Sequence, residues 1–321
     1  MMEIGIALIC LGSALLLAAL VLIVGGYITY RMAFYNNVSK KPVDPYKFAK
    51  GDDPVSNLSR ELIGKILEME FEDVYVTSHD GLKLHARLRI TDEGAPLVIC
   101  AHGYKSFYAI DFSGGAPDLI DSGMNVLIID ERACGESEGK TVSFGYYEKK
   151  DINTWVKYVE ERFGKDVKII LCGVSMGAAT VIMAASEELS PSVVGVFADC
   201  PYGSAKEIIK KVIRDMRLPA GFLYPLVRFG AILYGGFDPN KAEPRASSDK
   251  IEVPTVIVHG EADGFVPAFM SRDIATKNEK HIKYYTFPDA THGMSYLYDR
   301  ERYRAIVREH TVESLGEKIA K

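Results

Sequence analysis

The chain has 321 residues, of which 48% are hydrophobic and 25% charged, with a formal net charge of −5 and a pI near 5.9. That balance suits a globular protein with one apolar segment and lacks the basic face that a nucleic-acid partner requires. The cysteines (Cys10, Cys100, Cys134, Cys172 and Cys200) are odd in number and form no C-x-x-C pair, which argues against that type of metal or redox motif and fits a reducing compartment.

Residues 4–28 carry no charge and are dominated by Leu, Ile, Val and Ala, longer than the ~20 residues needed to cross a bilayer. A cleaved signal peptide has a basic start and a shorter apolar region, whereas here Glu3 precedes a long run. Residues 1–30 are therefore expected to be a membrane anchor. Arg31, Lys40, Lys41, Lys47 and Lys50 all follow it, and the positive-inside tendency places the rest of the chain in the cytoplasm. Residues 31–56, with Pro42, Pro45 and Pro54 and no hydrophobic period, read as a juxtamembrane linker. Residues 57–321 read as one domain.

That domain opens with an amphipathic helix at 58–69 and two strands at 72–77 and 82–90, joined through His79-Asp80-Gly81. From residue 96 the pattern alternates. Short apolar strands are predicted at 97–100, 126–129, 168–171, 194–198, 255–258 and 283–286, with helices at 117–121, 147–162, 176–187, 269–277 and 300–310. This is an α/β chain with a mostly parallel sheet covered on both faces, and ligands in such sheets bind at the carboxyl ends of the strands. Residues 201–250 interrupt the alternation and are too long for a simple crossover. They read as a lid.

The chain is organised around residues 168–182, where an apolar strand runs into Gly173-Val174-Ser175-Met176-Gly177 and then into an apolar helix. In a strand–turn–helix of this kind the serine is strained, and the glycines are needed because Cβ atoms would strike the neighbouring strand and helix. The pattern occurs again at Gly135-Glu136-Ser137-Glu138-Gly139, but that copy follows a polar loop, is flanked by carboxylates and leads into Lys140-Thr141. Ser175 is the expected nucleophile and Ser137 a loop residue.

A serine nucleophile needs a base and an orienting acid from elsewhere in the sheet. Among seven histidines, His292 follows the last strand on a polar loop and precedes the last helix, a position able to bring an imidazole over the turn. The acid is expected at Asp263, just beyond the strand at 255–258, with Glu261 as its competitor. The oxyanion hole needs two backbone N–H donors, assigned to Met176 and to Tyr104 in the loop His102-Gly103-Tyr104.

From about residue 71 to 312 the chain resembles the α/β-hydrolase superfamily, most of all the branch holding serine aminopeptidases, monoacylglycerol lipases and bacterial acyl esterases. The resemblance rests on Ser78-His79-Asp80-Gly81, Ala101-His102-Gly103-Tyr104, Asp130-Glu131-Arg132 with Gly135 and Ser137, the turn at Ser175, His259-Gly260 with Asp263, and His292-Gly293. Ala133-Cys134 depart from the usual pattern. The resemblance implies a serine hydrolase working without cofactor or metal, and no metal-ligand spacing or phosphate-cradling glycine loop occurs in the sequence. The expected substrate is a small-molecule or lipid-like acyl ester, with Phe222, Tyr224 and Leu226 of the lid lining its pocket. A peptidase, for which Asp199, Glu207 or Asp215 would hold a free amine, a thioesterase and a silent binding protein on the same fold are the competing readings.

Overall fold

The computed structural model describes residues 2–37 and 44–316. Eight strands form one sheet: β1 (Glu72–Thr77), β2 (Lys83–Arg89), β3 (Leu97–Ala101), β4 (Asn125–Ile129), β5 (Ile169–Val174), β6 (Val193–Asp199), β7 (Thr255–Gly260) and β8 (Ile282–Phe287). Their order is β1-β2-β4-β3-β5-β6-β7-β8. The first two strands pair antiparallel with each other, and β2 pairs antiparallel with β4; every later pairing is parallel. The six parallel strands coincide with the predicted ones to within three residues at each end.

The helices are α1 (Met2–Ala33), α2 (Pro54–Glu68), α3 (Tyr108–Asp111), α4 (Gly115–Asp121), α5 (Glu148–Phe163), α6 (Met176–Ala185), α7 (Ala205–Asp215), α8 (Ala220–Gly235), α9 (Pro244–Ser247), α10 (Phe269–Ala275), α11 (Ser295–Tyr298) and α12 (Arg300–Leu315). One face of the sheet buries Leu97, Ile99, Leu127 and Leu171 against Trp155 of α5, Ile182 of α6 and Ile274 of α10. On the other face, Val98, Val126 and Ile128 pack with α3, α4 and Ile66 of α2, and Phe197 and Val258 pack with Leu62 of α2 and Tyr303 and Ile306 of α12. A strand buried on both sides has no polar face, which is why β3 and the centres of β4 and β7 (126–129 and 256–258) read as apolar runs.

The predicted lid contains α7, α8 and α9. Ser204 caps α7 by accepting a hydrogen bond from the Glu207 N–H at 3.1 Å, the serine half of a capping box. Helix α1 is long and apolar enough to cross a membrane, and Ile4, Leu8, Leu15 and Leu20 are exposed along it. Its final turns are not free. They cross α8 closely, with no room for side chains between the backbones: a Cβ on Gly230 would lie 2.2 Å from the Gly26 carbonyl oxygen. Thr29 Oγ1 donates to the Leu226 carbonyl (3.3 Å) and Tyr234 Oη to that of Ile23 (3.0 Å). Phe34 is fully buried beside Phe144 and Phe237, and Asn36 Nδ2 donates to the Ala133 carbonyl at 2.7 Å. Residues 31–37, expected to be linker, therefore continue α1 and then bind along the domain. Lys40 and Lys41 of the charge argument lie outside the described residues.

Candidate active site

Ser175 stands between β5 and α6 with φ +54° and ψ −111°, a conformation that a non-glycine residue keeps only when its surroundings enforce it. They do so through the flanking glycines. A Cβ on Gly173 would lie 2.4 Å from the Gly177 carbonyl, and one on Gly177 would lie 1.9 Å from the Ala101 oxygen. The Ser175 N–H donates to the Asp199 carbonyl at 2.8 Å, tying the turn to β6.

The three side chains expected to work together form one hydrogen-bonded line. Ser175 Oγ lies 2.9 Å from His292 Nε2, and His292 Nδ1 lies 2.7 Å from Asp263 Oδ2. Asp263 sits on the turn after β7, and its Oδ1 accepts the N–H groups of Phe265 and Val266, each at 2.8 Å. Burial disfavours its charge, but hydrogen bonds from His259 and His292 outweigh that and hold the carboxyl well below the usual range. An ionised Asp263 accepts from Nδ1–H, which leaves Nε2 free to accept the Ser175 proton. Phe265 stacks edge-on to the imidazole, with ring centroids 5.1 Å apart.

His259 was not expected to take part. Its Nε2 lies 2.8 Å from the Val266 carbonyl and 3.1 Å from Asp263 Oδ2. A carbonyl only accepts, so this nitrogen carries a hydrogen and shares it with the acid. The signal available was the His259-Gly260 strand end four residues before Asp263. Asp111 was missed as well, for it stands on a short helix without periodicity. Its Oδ2 accepts the Gly103 N–H at 2.6 Å and its Oδ1 the Ser106 hydroxyl at 2.9 Å, so it braces the loop that carries Tyr104. A Cβ on Gly103 would lie 3.4 Å from Ser175 Cβ, which places that loop against the nucleophile. Met176 is the first residue of α6, and such N–H groups have no acceptor within their own helix. Tyr104 turns its side chain away, donating from Oη to the Ala33 carbonyl at 2.6 Å.

Ser137 has no such partners. Its hydroxyl donates to the Asp130 carbonyl (2.6 Å) and accepts from the His85 N–H (2.9 Å), stapling the loop to β2. On α7, Asp215 is paired with Lys211, and Glu207 is paired through Oε1 with Arg245 of α9, its buried Oε2 having no partner among the described residues. Asp199, in contrast, lies beside Ser175 at the end of β6. It accepts from Tyr303 Oη at 3.1 Å on Oδ2, while its buried Oδ1 has no partner among the described residues.

A cavity of about 1190 Å³ opens at Ser175, His292 and Gly103. Phe222, Tyr224 and Leu226 do not line it. Phe222 is exposed at 86%, Tyr224 is buried and bonded to Asn240, and Leu226 packs on Gly25 of α1.

Burial pushes the Asp199 carboxyl up to about 6, against the opposing effects of His259 and Tyr303. The folded value stands above that of the unfolded chain. The associated stability is therefore fully present below the unfolded pKa, near 3.9, and is lost as pH rises through about 6. Asp199→Asn should match wild type at pH 4 and exceed it at pH 8, by about 3 kcal/mol at most. Thermal midpoints of the full chain in detergent at the two pH values measure this. A gap of the same size at both would mean that the carboxyl is not desolvated as it stands here.

Residues 93–231 match the serine aminopeptidase family, S33. Of curated proteins, an uncharacterised protein of Bacillus subtilis is 35% identical over 192 residues, and a thiohydrolase of Aspergillus aculeatus is 34% identical over 121 residues. These alignments cover 60% and 37% of this chain, and the chain spans 63% and 38% of the lengths of those relatives. Among solved structures, a Pyrococcus furiosus esterase superposes with a TM-score of 0.63 at 26% identity, covering 77% of this chain and 92% of that one. The acylaminoacyl peptidase of Pyrococcus horikoshii shares the fold, with a TM-score of 0.58 at 14% identity over 80% of this chain and 44% of that one.

Proposed function

Because the chain is an α/β-hydrolase, we propose that it is a membrane-tethered serine hydrolase that cleaves carboxylic esters through an acyl-enzyme. The observation that carries this is the continuous line Ser175–His292–Asp263, at 2.9 and 2.7 Å, with Ser175 on a strained turn.

Ser175 Oγ attacks the ester carbonyl while His292 Nε2 takes its proton. Ionised Asp263 stabilises the imidazolium that results. The Met176 and Tyr104 N–H groups receive the tetrahedral oxyanion, at the positive end of α6. His292 then returns the proton to the leaving alkoxide, and water activated by the same nitrogen releases the acid. No cofactor or metal enters these steps. The likeness to the Pyrococcus furiosus esterase supports an ester as substrate. The stretch shared with the Aspergillus thiohydrolase makes a thioester the reading to test beside it. Asp199, whose buried Oδ1 has no partner among the described residues and which lies next to the nucleophile, supports a second reading: an aminoacyl substrate whose amine it would hold.

In this reading α1 anchors the protein in the bilayer, with the hydrolase domain in the cytoplasm as the charge pattern favours. The close crossing of α1 on α8 would hold the lid near the membrane surface, which suits a lipid-like ester.

The test is a fluorophosphonate probe on the full chain in detergent, with the modified peptide mapped by mass spectrometry. Label on Ser175 that is lost in His292→Ala is the expected result. Label on Ser137 would refute the assignment of the nucleophile, and a folded protein that takes no label would refute the hydrolase reading. Acyl esters, acyl thioesters and aminoacyl anilides assayed side by side then separate the substrate classes.

A further inference from the structure

The cavity does not stop at the nucleophile. Protein interiors are close-packed, with few voids larger than a water molecule. Yet Cys172 and Val174, on a central strand with helices over both faces of the sheet, are only partly buried. Successive side chains on a strand alternate faces, so Ile170, Cys172 and Val174 point the same way, and all three line the cavity. Phe197 and Asp199 of β6 extend this floor. The sides are Leu119 of α4 and Tyr303 and Val307 of α12. A polar clasp closes the seam between those helices, where Asp118 accepts from Tyr296 Oη at 2.6 Å and from Arg304 Nε at 2.5 Å.

We propose that this space is an acyl channel, in which the hydrocarbon chain of an ester held at Ser175 runs back along the sheet, between α4 and α12, rather than under the lid. The inference rests on the serine-esterase reading and names the substrate class for that site. Five residues of strand separate Ser175 from Ile170, and at ~3.3 Å each they span roughly 16 Å, the length of an extended chain of about twelve carbons. Away from the mouth the floor of the cavity is apolar, while its sides also carry Asp118, Asp121, Ser122, Arg304, Arg308 and Thr311. Ile170, Val174, Phe197, Leu119 and Val307 offer a chain no hydrogen-bonding group, and a largely apolar pocket with a few polar groups at one end is the usual form of a ligand site. The polar end is at Ser175, Asp199 and His292, where the ester group sits. At the far end, burial moves His310 down to about 4, so it adds no charge at neutral pH. The lid residues offer no comparable space: Leu226 is engaged by α1 and Phe222 faces outward.

The experiment uses the full chain in detergent, with active sites counted by a fluorophosphonate and kcat/KM measured on p-nitrophenyl esters from acetyl to hexadecanoyl. Wild type should favour the dodecanoyl over the acetyl ester. Val307→Trp, which fills the channel from α12, should lower the dodecanoyl-to-acetyl ratio about tenfold or more, since each excluded methylene loses its burial. Leu119→Trp fills it from α4 and should do the same, so the test survives the failure of either variant to fold. An unchanged ratio in folded, titratable variants would overturn the channel. So would a ratio that falls in Phe222→Ser but holds in Val307→Trp, for it would put the chain under the lid. Wild type that neither reacts with the fluorophosphonate nor cleaves the acetyl ester would instead remove the esterase premise itself, and the channel with it.

Discussion

Ser175→Ala should lower kcat for an activated ester by about a million-fold in the full chain, and His292→Ala should do nearly the same. The two losses should not add. Nucleophile and base act as a unit, joined by one contact at 2.9 Å, so the double variant should be no slower than either single one. Asp263→Asn should cost less, about ten-thousand-fold, because it leaves the imidazole in place but favours the wrong tautomer. The geometry makes this last value informative. Asp263 Oδ2 faces two histidines, and an amide nitrogen placed there would meet the hydrogen on His259 Nε2 as well as His292. Steady-state rates with titrated enzyme provide the comparison. A Ser175→Ala protein keeping more than about a hundredth of wild-type turnover would place the chemistry elsewhere.

The residues behind that expectation were legible because each stands where the pattern changes. Ser175 stands between a strand and a helix, and Asp263 and His292 lie three and five residues beyond the ends of β7 and β8. Chain order, strand ends and small flanking residues are local properties, and the parallel sheet turns them into proximity. What could not be read depends on which face an element presents to what. Helix α1 is apolar all round, so nothing in its sequence marks Gly26 as the point that meets Gly230. The aromatic residues of α8 have the same composition whether they face solvent, α1 or a ligand. Phe222, Tyr224 and Leu226 were expected at the substrate, but they occupy three different environments away from the cavity. The channel itself is an absence of atoms between α4 and α12, and no spacing of residues encodes that. Asp111 and His259 escaped for a related reason: their partners, the Gly103 N–H and Asp263, become neighbours only when the loops after β3 and β7 are folded.

Gly177→Ala tests whether the turn depends on sterics, as its crowding implies. Helix propensity alone says that alanine at the second residue of α6 should help, by up to about 1 kcal/mol. The packing says the opposite. The added carbon would lie 1.9 Å from the Ala101 oxygen, 2.5 Å from the Ala101 carbonyl carbon and 2.8 Å from the His102 oxygen. All three are backbone atoms at the end of β3, in the middle of the sheet, and none can rotate aside. Either α6 lifts off β3 or the strand end shifts, and both movements carry Ser175 away from the loop that presents Tyr104. The clash should outweigh the propensity gain and destabilise the fold by about 3 kcal/mol, seen as a fall of about 5–10 °C in the thermal midpoint. Esterase turnover should fall further than stability explains, since a shift of about 1 Å at the reacting groups costs on the order of a hundredfold. Gly64→Ala is the control. It lies inside α2 with nothing within 4 Å of the added carbon, so the same substitution should raise the midpoint slightly and leave the rate alone. If the two variants behaved alike, the glycine after Ser175 would serve backbone flexibility rather than the close approach of α6 to β3.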